Sequence, residues 1–374
     1  MKRVLIALLL LAGCSKPVEM VTEPVDYVST LTGTLSHHAF STGNTYPAVA
    51  LPWGMNFWTP QGGRMGDGWA YRYDQNWIRG FKQTHQPSPW INDYGQFAIM
   101  PVRDASWVHE DERASYFSHK SETAKPYYYQ VYLADHDINV EIAPADRAAA
   151  MMLTYPAGEV SGVVVDAYDE GSYIKVLPEK QAIIGYTAKN CGGVPDNFRN
   201  WFVVKFDKPI ESYTVYAGPE KALEGSSEFE GDHALAVVKF QTVRGEKVNA
   251  QAASSFISLE QAWTNFKEVE GKTFAQVKDP QCRMLCAIAA YNTGAGNVSR
   301  AINGGRSVSK AVPAINAMSY DKLYSHLKRH LPHDETRNYI QKVTEKMNKY
   351  SLNSLIIHID TLFRKGRKNF LRTK

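Results

Sequence analysis

Between Tyr46 and Pro101 the chain concentrates residue types that could hold a sugar. Trp53, Trp58, Trp69, Tyr71, Tyr73, Trp77, Phe81, Trp90 and Tyr94 supply flat apolar faces. Asp67, Arg72, Asp74, His85, Asn92 and Asp93 stand among them. A pyranose offers C–H faces ringed by hydroxyls. Aromatic rings pack the faces, while carboxylates, amides and imidazole hold the hydroxyls. The same aromatics could instead be core, and Trp53, Trp77 and Phe81 read that way. Trp90, between Pro89 and the polar Asn92-Asp93, reads as ligand-facing. His85 is open to either role. Cys282 and Cys286 share a helix face at a spacing of four, but no matching pair of His or Cys stands nearby, so no metal site is expected there.

Such side chains need a rigid frame. The dense Gly and Pro of 46–101 argue for irregular loops between short strands. Beyond them, 127–133, 138–142, 148–155, 162–166, 172–177, 181–187, 201–206, 212–217 and 233–240 are short runs rich in β-branched and aromatic residues. Pro144-Ala145-Asp146, Glu170-Gly171 and Gly185 are read as the separators. Many short strands at this spacing predict a β-sandwich over 28–259. A linker, helical over 260–269, occupies 260–279. From 280 to 350 the texture becomes helical, with helices expected over 284–291, 297–302, 321–330 and from Asp334 to about Lys349. Tyr320, Leu323, Tyr324 and Leu327 should share one face, and Tyr339, Val343 and Met347 another. The fold class expected is mainly β, an N-terminal sandwich followed by a small α-helical C-terminal segment.

The 374 residues carry a net charge of +4, unevenly spread. From Lys272 onward there are 19 Lys+Arg and 6 Asp+Glu, leaving 23 and 32 for residues 1–271. A basic segment of this kind suits an anionic polymer or a membrane surface. No nucleic-acid partner is expected. Lys2-Arg3, an apolar run from Val4 to Ala12, then Gly13-Cys14 form a signal-peptide pattern over 1–13. Residues 14–27 then read as a tether and 351–374 as a basic tail. Leu11-Ala12-Gly13-Cys14 resembles the lipobox of bacterial lipoproteins. That resemblance implies lipidation of Cys14, a membrane anchor through the acyl chains, and a place in the cell envelope. Ser15 favours the outer membrane.

Three segments resemble glycoside hydrolase family 92: Thr42-Gly43-Asn44-Thr45-Tyr46-Pro47 with Leu51-Pro52-Trp53-Gly54-Met55, then Gly80-Phe81-Lys82-Gln83-Thr84-His85, then Trp90-Ile91-Asn92-Asp93-Tyr94-Gly95. Members are mostly calcium-dependent, inverting α-mannosidases. The resemblance covers about 25–278 and implies a β-sandwich whose loops meet a large (α/α)6 domain. It places Asp67, Trp69, His85, Trp90 and Asp93 in segments that line the sugar pocket. In that family the catalytic acid, the base and most calcium ligands sit in the helical domain. An inverting hydrolase needs both carboxyl groups across the scissile bond, and no such domain follows here. Calcium is therefore implied by the family but most of its ligands are missing, and another chain could supply the missing domain.

Over about 280–350 the chain resembles lytic transglycosylases of goose-lysozyme-like fold, so this region reads as partly lysozyme-like. The matching segments are Ala289-Ala290-Tyr291-Asn292-Thr293-Gly294-Ala295-Gly296-Asn297-Val298 and Glu335-Thr336-Arg337-Asn338-Tyr339-Ile340-Gln341-Lys342-Val343. The resemblance implies a peptidoglycan groove beside Tyr291, Asn292 and Tyr339. The family's acid lies in a Glu-Ser motif that this sequence lacks, and that chemistry needs one Glu to give and then take a proton. Three readings follow: a tethered lipoprotein that binds a mannose-containing glycan without complete catalytic machinery, a murein transglycosylase of the envelope, or a fused reading frame without function.

Overall fold

Apolar side chains at every second position turn a strand into a two-faced ribbon, and two such faces bury each other. The computed structural model follows this rule. It describes residues 25, 28–35, 45–51, 54–65, 71–85, 94–156, 161–272, 280–307, 310–311, 314–315 and 318–345.

Two large sheets form the frame. The first has seven strands in the order β1 (Phe57–Gln61), β3 (Gly80–Thr84), β4 (Phe97–Val102), β10 (Ser161–Asp166), β17 (Ala234–Phe240), β14 (Ser212–Ala217) and β15 (Ala222–Leu223). The second has nine: β16 (Glu228–Gly231), β11 (Ser172–Leu177), β12 (Ala182–Thr187), β13 (Asn200–Phe206), β18 (Lys247–Ser255), β9 (Ala148–Thr154), β8 (Ile138–Pro144), β7 (Tyr128–Leu133) and β6 (Thr123–Lys125). A short ribbon pairs β2 (Trp77–Ile78) with β5 (Ser115–Tyr116). The expected mainly β architecture is what the chain adopts.

The nine-stranded sheet shows the alternation. Tyr129, Val131 and Leu133 of β7, and Ile138, Val140 and Ile142 of β8, point into the main core. Gln130, Asn139 and Glu141 point the other way, where Gln130 Nε2 donates to Asn139 at 3.1 Å and the Tyr128 hydroxyl donates to Glu141 at 2.6 Å. Aromatic rings bridge the sheets: Phe97 stacks on Phe202 at 4.3 Å, and Phe206 meets Phe240 at 5.0 Å. In the seven-stranded sheet, β4 and β10 are buried at every position. Ala105, Val108 and Phe117, from the segment after β4, belong to the same core.

The outer face of the nine-stranded sheet is made of small residues where a helix crosses it. Ala143, Ala148, Ala150, Val203 and Ala253 pack against Ala262, Phe266 and Val269. Helix α1 (Leu259–Phe266) begins at Ser258, whose hydroxyl accepts from the Gln261 amide at 3.1 Å. The short side chains let the helix sit close to the sheet.

Three expectations change. Trp77 is 48% exposed, because its two-residue strand lies on the β2–β5 ribbon, where its ring makes a T-shaped contact with Tyr116 at 6.1 Å. Gly185 is no separator but lies inside β12. A Cβ there would stand 2.2 Å from the Tyr173 carbonyl and 2.7 Å from Cζ of Phe202, so a close approach accounts for the glycine. β18 was not expected, since Lys247–Ser255 is rich in Ala, Asn and Ser, yet it is central.

The C-terminal helices are α2 (Pro280–Thr293), α3 (Ala295–Asn303) and α4 (Tyr320–His330). Residues 334–345 are also helical. Gly304 ends α3 at φ 77°, a left-handed cap suited to glycine. Leu285, Ala289, Val298, Leu323, Leu327, Leu331 and Ile340 form one cluster, with Tyr320 and Tyr324 against it, as the expected face of α4 requires. On the last helix the inward line is Thr336, Ile340 and Thr344, while Tyr339 and Val343 are half-buried. Among the described residues, this cluster contains none from the sandwich.

Candidate functional site at one end of the sandwich

β3 ends at Thr84, β4 begins at Phe97, β13 begins at Asn200 and β18 ends at Ser255. The antiparallel register, Gln83 opposite Phe97 and Trp201 opposite Ser255, brings these termini to one end of the sandwich. There the chain has used polar side chains in buried positions, which requires partners.

His85 stands at this end, half-buried. Its Nδ1 lies 2.9 Å from the Tyr94 carbonyl, and its Nε2 lies 2.9 Å from Nε2 of Gln83. A carbonyl only accepts, so Nδ1 carries a hydrogen. Gln83 Nε2 also donates to Ser254 Oγ at 2.8 Å, across to the other sheet. Asn56 Nδ2 donates to the same hydroxyl at 3.2 Å. Phe256 packs on the His85 ring at 4.6 Å, Phe198 on Phe256 at 5.5 Å, and Tyr94 on Phe198 at 6.2 Å. Phe256 is 38% exposed and Ile257 79%, so an apolar rim meets solvent beside a polar floor.

Gly95 anchors the start of β4. Its φ of +65° suits glycine, and a Cβ there would lie 2.4 Å from Cβ of Asn200. Its amide donates to the Lys189 carbonyl at 2.7 Å, and its carbonyl accepts from Asn200 Nδ2 at 2.6 Å. The Lys189 ammonium is buried and bonded to Asp169 and Glu170; burial disfavours its charge, but these carboxylates outweigh that and raise its pKa.

Of the residues expected to face a sugar, His85 is therefore at the site. Asp67, Trp69, Trp90 and Asp93 lie outside the described residues, as does Cys14. Gln83, Asn56, Ser254, Asn200 and Phe256 were not foreseen. Gln83 lay within the motif quoted around His85, whereas Ser254 and Phe256 carry no local signal, being brought in by strand pairing. For calcium, the described floor offers amides, hydroxyls and an imidazole. Among the described residues no group of three or more His, Cys, Asp or Glu is arranged to hold a metal ion.

In the helical region, Asn292 at the end of α2 accepts from the Thr336 hydroxyl at 2.6 Å. The two segments that resembled transglycosylases thus meet. Tyr339 is half-buried on the same closing helix, and Tyr291 lies within α2.

Two packed antiparallel sheets, with amides, an imidazole and aromatic rings gathered at one end, form a β-sandwich domain. The model of the glycosyl hydrolase family 92 N-terminal domain matches residues 27–255, and the chain belongs to that family. A family GH92 inverting mannosidase of Bacteroides thetaiotaomicron is similar at 44% identity and a TM-score of 0.68, over 74% of this chain and 37% of that one. A family GH92 α-mannosidase of the same organism, also solved in complex with mannoimidazole, is similar at 25% identity and a TM-score of 0.60, over 68% and 36%. Membrane-bound lytic murein transglycosylase C of Pectobacterium atrosepticum is 29% identical over 102 residues, 27% of this chain and 26% of that one. Its counterpart in Haemophilus ducreyi is 35% identical over 74 residues, 20% of each. The chain thus spans little more than a third of those mannosidases and about a quarter or less of those transglycosylases.

Proposed function

We propose that the chain binds a mannose-containing glycan at the His85 end of the sandwich, tethered to the cell envelope through a lipidated Cys14, without complete catalytic machinery of its own. The observation that carries this reading is the half-buried His85 ring, held from beneath by the buried Gln83 and Ser254, beside the exposed Phe256 ring. A sugar needs both: donors and acceptors for its hydroxyls, a flat apolar surface for its C–H face. The likeness to an inverting mannosidase at 44% identity supports mannose as the sugar. Hydrolysis with inversion needs two carboxyl groups flanking the bond. Gln83, Ser254 and Asn56 are buried and bonded to one another and to His85, so they shape this end of the sandwich and supply no such carboxyl pair. A catalytic helical domain from a separate chain is the partner this arrangement would accept.

The test is calorimetry with mannoimidazole and with α-1,2-mannobiose, each with and without calcium, followed by mass analysis of products. Saturable binding, lost in His85→Ala and Phe256→Ala, with no mannose released, is the expected result. Released mannose would make the chain a mannosidase. No binding at all would favour the fused reading frame without function.

One observation favours a second reading. The Asn292–Thr336 bond joins both segments that resemble murein transglycosylases, and the basic balance of residues 272–374 suits a polymer bearing carboxylates. Incubation with peptidoglycan sacculi separates the two. Anhydro-muropeptides would assign the activity to the helical region.

A further inference from the structure

Gln83 spends both amide hydrogens inside the protein. One points to His85 Nε2 at 2.9 Å, the other to Ser254 Oγ at 2.8 Å. Its Oε1 is buried with no hydrogen-bond partner. A buried carbonyl oxygen without a donor is costly, on the order of 1–3 kcal/mol, so the arrangement must secure something in return. Reversing the amide would aim Oε1 at His85 Nε2. That contact is favourable only if Nε2 also carries a hydrogen, which makes the ring an imidazolium, since Nδ1 already donates to the Tyr94 carbonyl.

What holds the amide nitrogen toward His85 is Ser254. Its hydroxyl is fixed by Asn56 Nδ2 at 3.2 Å, and its carbonyl accepts from Asn265 Nδ2 of α1 at 2.7 Å. Gln83, Ser254, Asn56 and Asn265 are all at most 4% exposed, so water does not compete for these bonds. His85, one residue past β3, in turn donates to Tyr94, three residues before β4. The bond therefore closes the β3–β4 connection at its neck.

We propose that Gln83, anchored by Ser254, is a positioning residue that keeps the hydrogen of the His85 ring on Nδ1, and that this arrangement clamps Tyr94 and shapes the sugar-facing end. The role in sugar binding rests on the function proposed above; the tautomer does not. His85 then holds the Tyr94 backbone, with Phe256 against its ring.

The experiment is nitrogen-15 NMR of histidine-labelled full chain at about pH 8, above the ordinary imidazole range of about 6.5, with His85 assigned by His85→Gln. The native ring should show a protonated Nδ1 and a bare Nε2. In Gln83→Glu, a carboxylate accepts a hydrogen at Nε2, so the ring pattern should move toward hydrogen on that nitrogen. Gln83→Met, which keeps shape and removes both donors, should weaken mannoimidazole binding on the order of tenfold, with the melting transition retained. A native His85 protonated on Nε2, or a Gln83→Glu pattern identical to native, overturns the proposal. A chain that shows the expected ring pattern but binds no mannoimidazole overturns the sugar reading alone.

Discussion

The Arg113 guanidinium donates to the Asp166 carboxylate at 2.7 Å, with both side chains no more than 4% exposed. Arg113 also donates to the carbonyls of Arg79 and Val108 at 3.0 and 3.1 Å. Asp166, at the end of β10, accepts further from the Tyr168 amide at 2.9 Å and lies 2.8 Å from His233 Nε2. Removing one partner strands a buried charge. Arg113→Met and Asp166→Leu should each cost about 3–5 kcal/mol of stability, while the double variant should cost less than the sum. Urea denaturation of the four chains measures this. Additive losses would mean the pair is not coupled.

The same cluster sets a pH dependence. Burial opposes charge on His233, but Asp166 beside it outweighs burial and raises its pKa. The folded ring binds its proton more tightly than the unfolded one. Its contribution is fully present below the ordinary imidazole value and is lost as pH rises through the raised value. Burial likewise opposes ionisation of Asp166, yet Arg113 and His233 hold its carboxyl well below the usual range. That contribution is present above the ordinary carboxylate value and is lost in acid. Denaturation midpoints should therefore fall as pH rises above the ordinary imidazole value of about 6.5, and His233→Gln should flatten that fall. An unchanged slope in His233→Gln would place the dependence elsewhere.

Gly95→Ala should harm the site more than the fold. Its left-handed φ and the 2.4 Å approach to Asn200 leave no room for a methyl group. The expected loss is about 1–3 kcal/mol, with mannoimidazole binding weakened as Tyr94 moves away from His85. Asn200→Gly would relieve the clash while removing a bond, so the double variant should recover part of the stability. Native-like binding by Gly95→Ala would show that Tyr94 does not depend on this turn.

Thr336→Val removes the hydroxyl that donates to Asn292 and should destabilise the helical region by about 1 kcal/mol. Leu327→Ala, in the centre of that cluster, should cost about 2–5 kcal/mol. Hydrogen exchange on both variants should accelerate in α2, α3 and α4 and leave β8, β9 and β18 protected. Loss of protection in the sandwich as well would mean that the two cores fold as one unit.

Most of the sandwich could be read from residue types. Ser172–Leu177 and Ser212–Ala217 were bounded correctly: the first alternates between core and a half-exposed face, and the second is rich in Tyr, Thr and Val. β4 was not singled out, because it lies in the loop-rich stretch and is buried at every position, whereas β10, equally buried, was read from its run of valines. β18 was hidden altogether: its Ala and Ser residues are poor strand formers in isolation, and only the helix crossing them demands short side chains.

The site divides in the same way. Local sequence placed His85 among the candidates, open to a structural or a sugar-facing role, since a motif is a matter of neighbours along the chain. The class of fold, the family resemblance and the inward face of α4 were legible for the same reason. That Gln83 and Ser254 would meet, 171 residues apart and from opposite sheets, was decided by tertiary structure alone. So was the fate of each aromatic: Phe81 went into the core and Trp77 to the surface, though the sequence around them looks alike. The pattern along a chain records which side chains avoid water. Which buried polar atom faces which is settled only when two sheets close on each other, because each unpaired donor must then find whatever acceptor the packing leaves within reach.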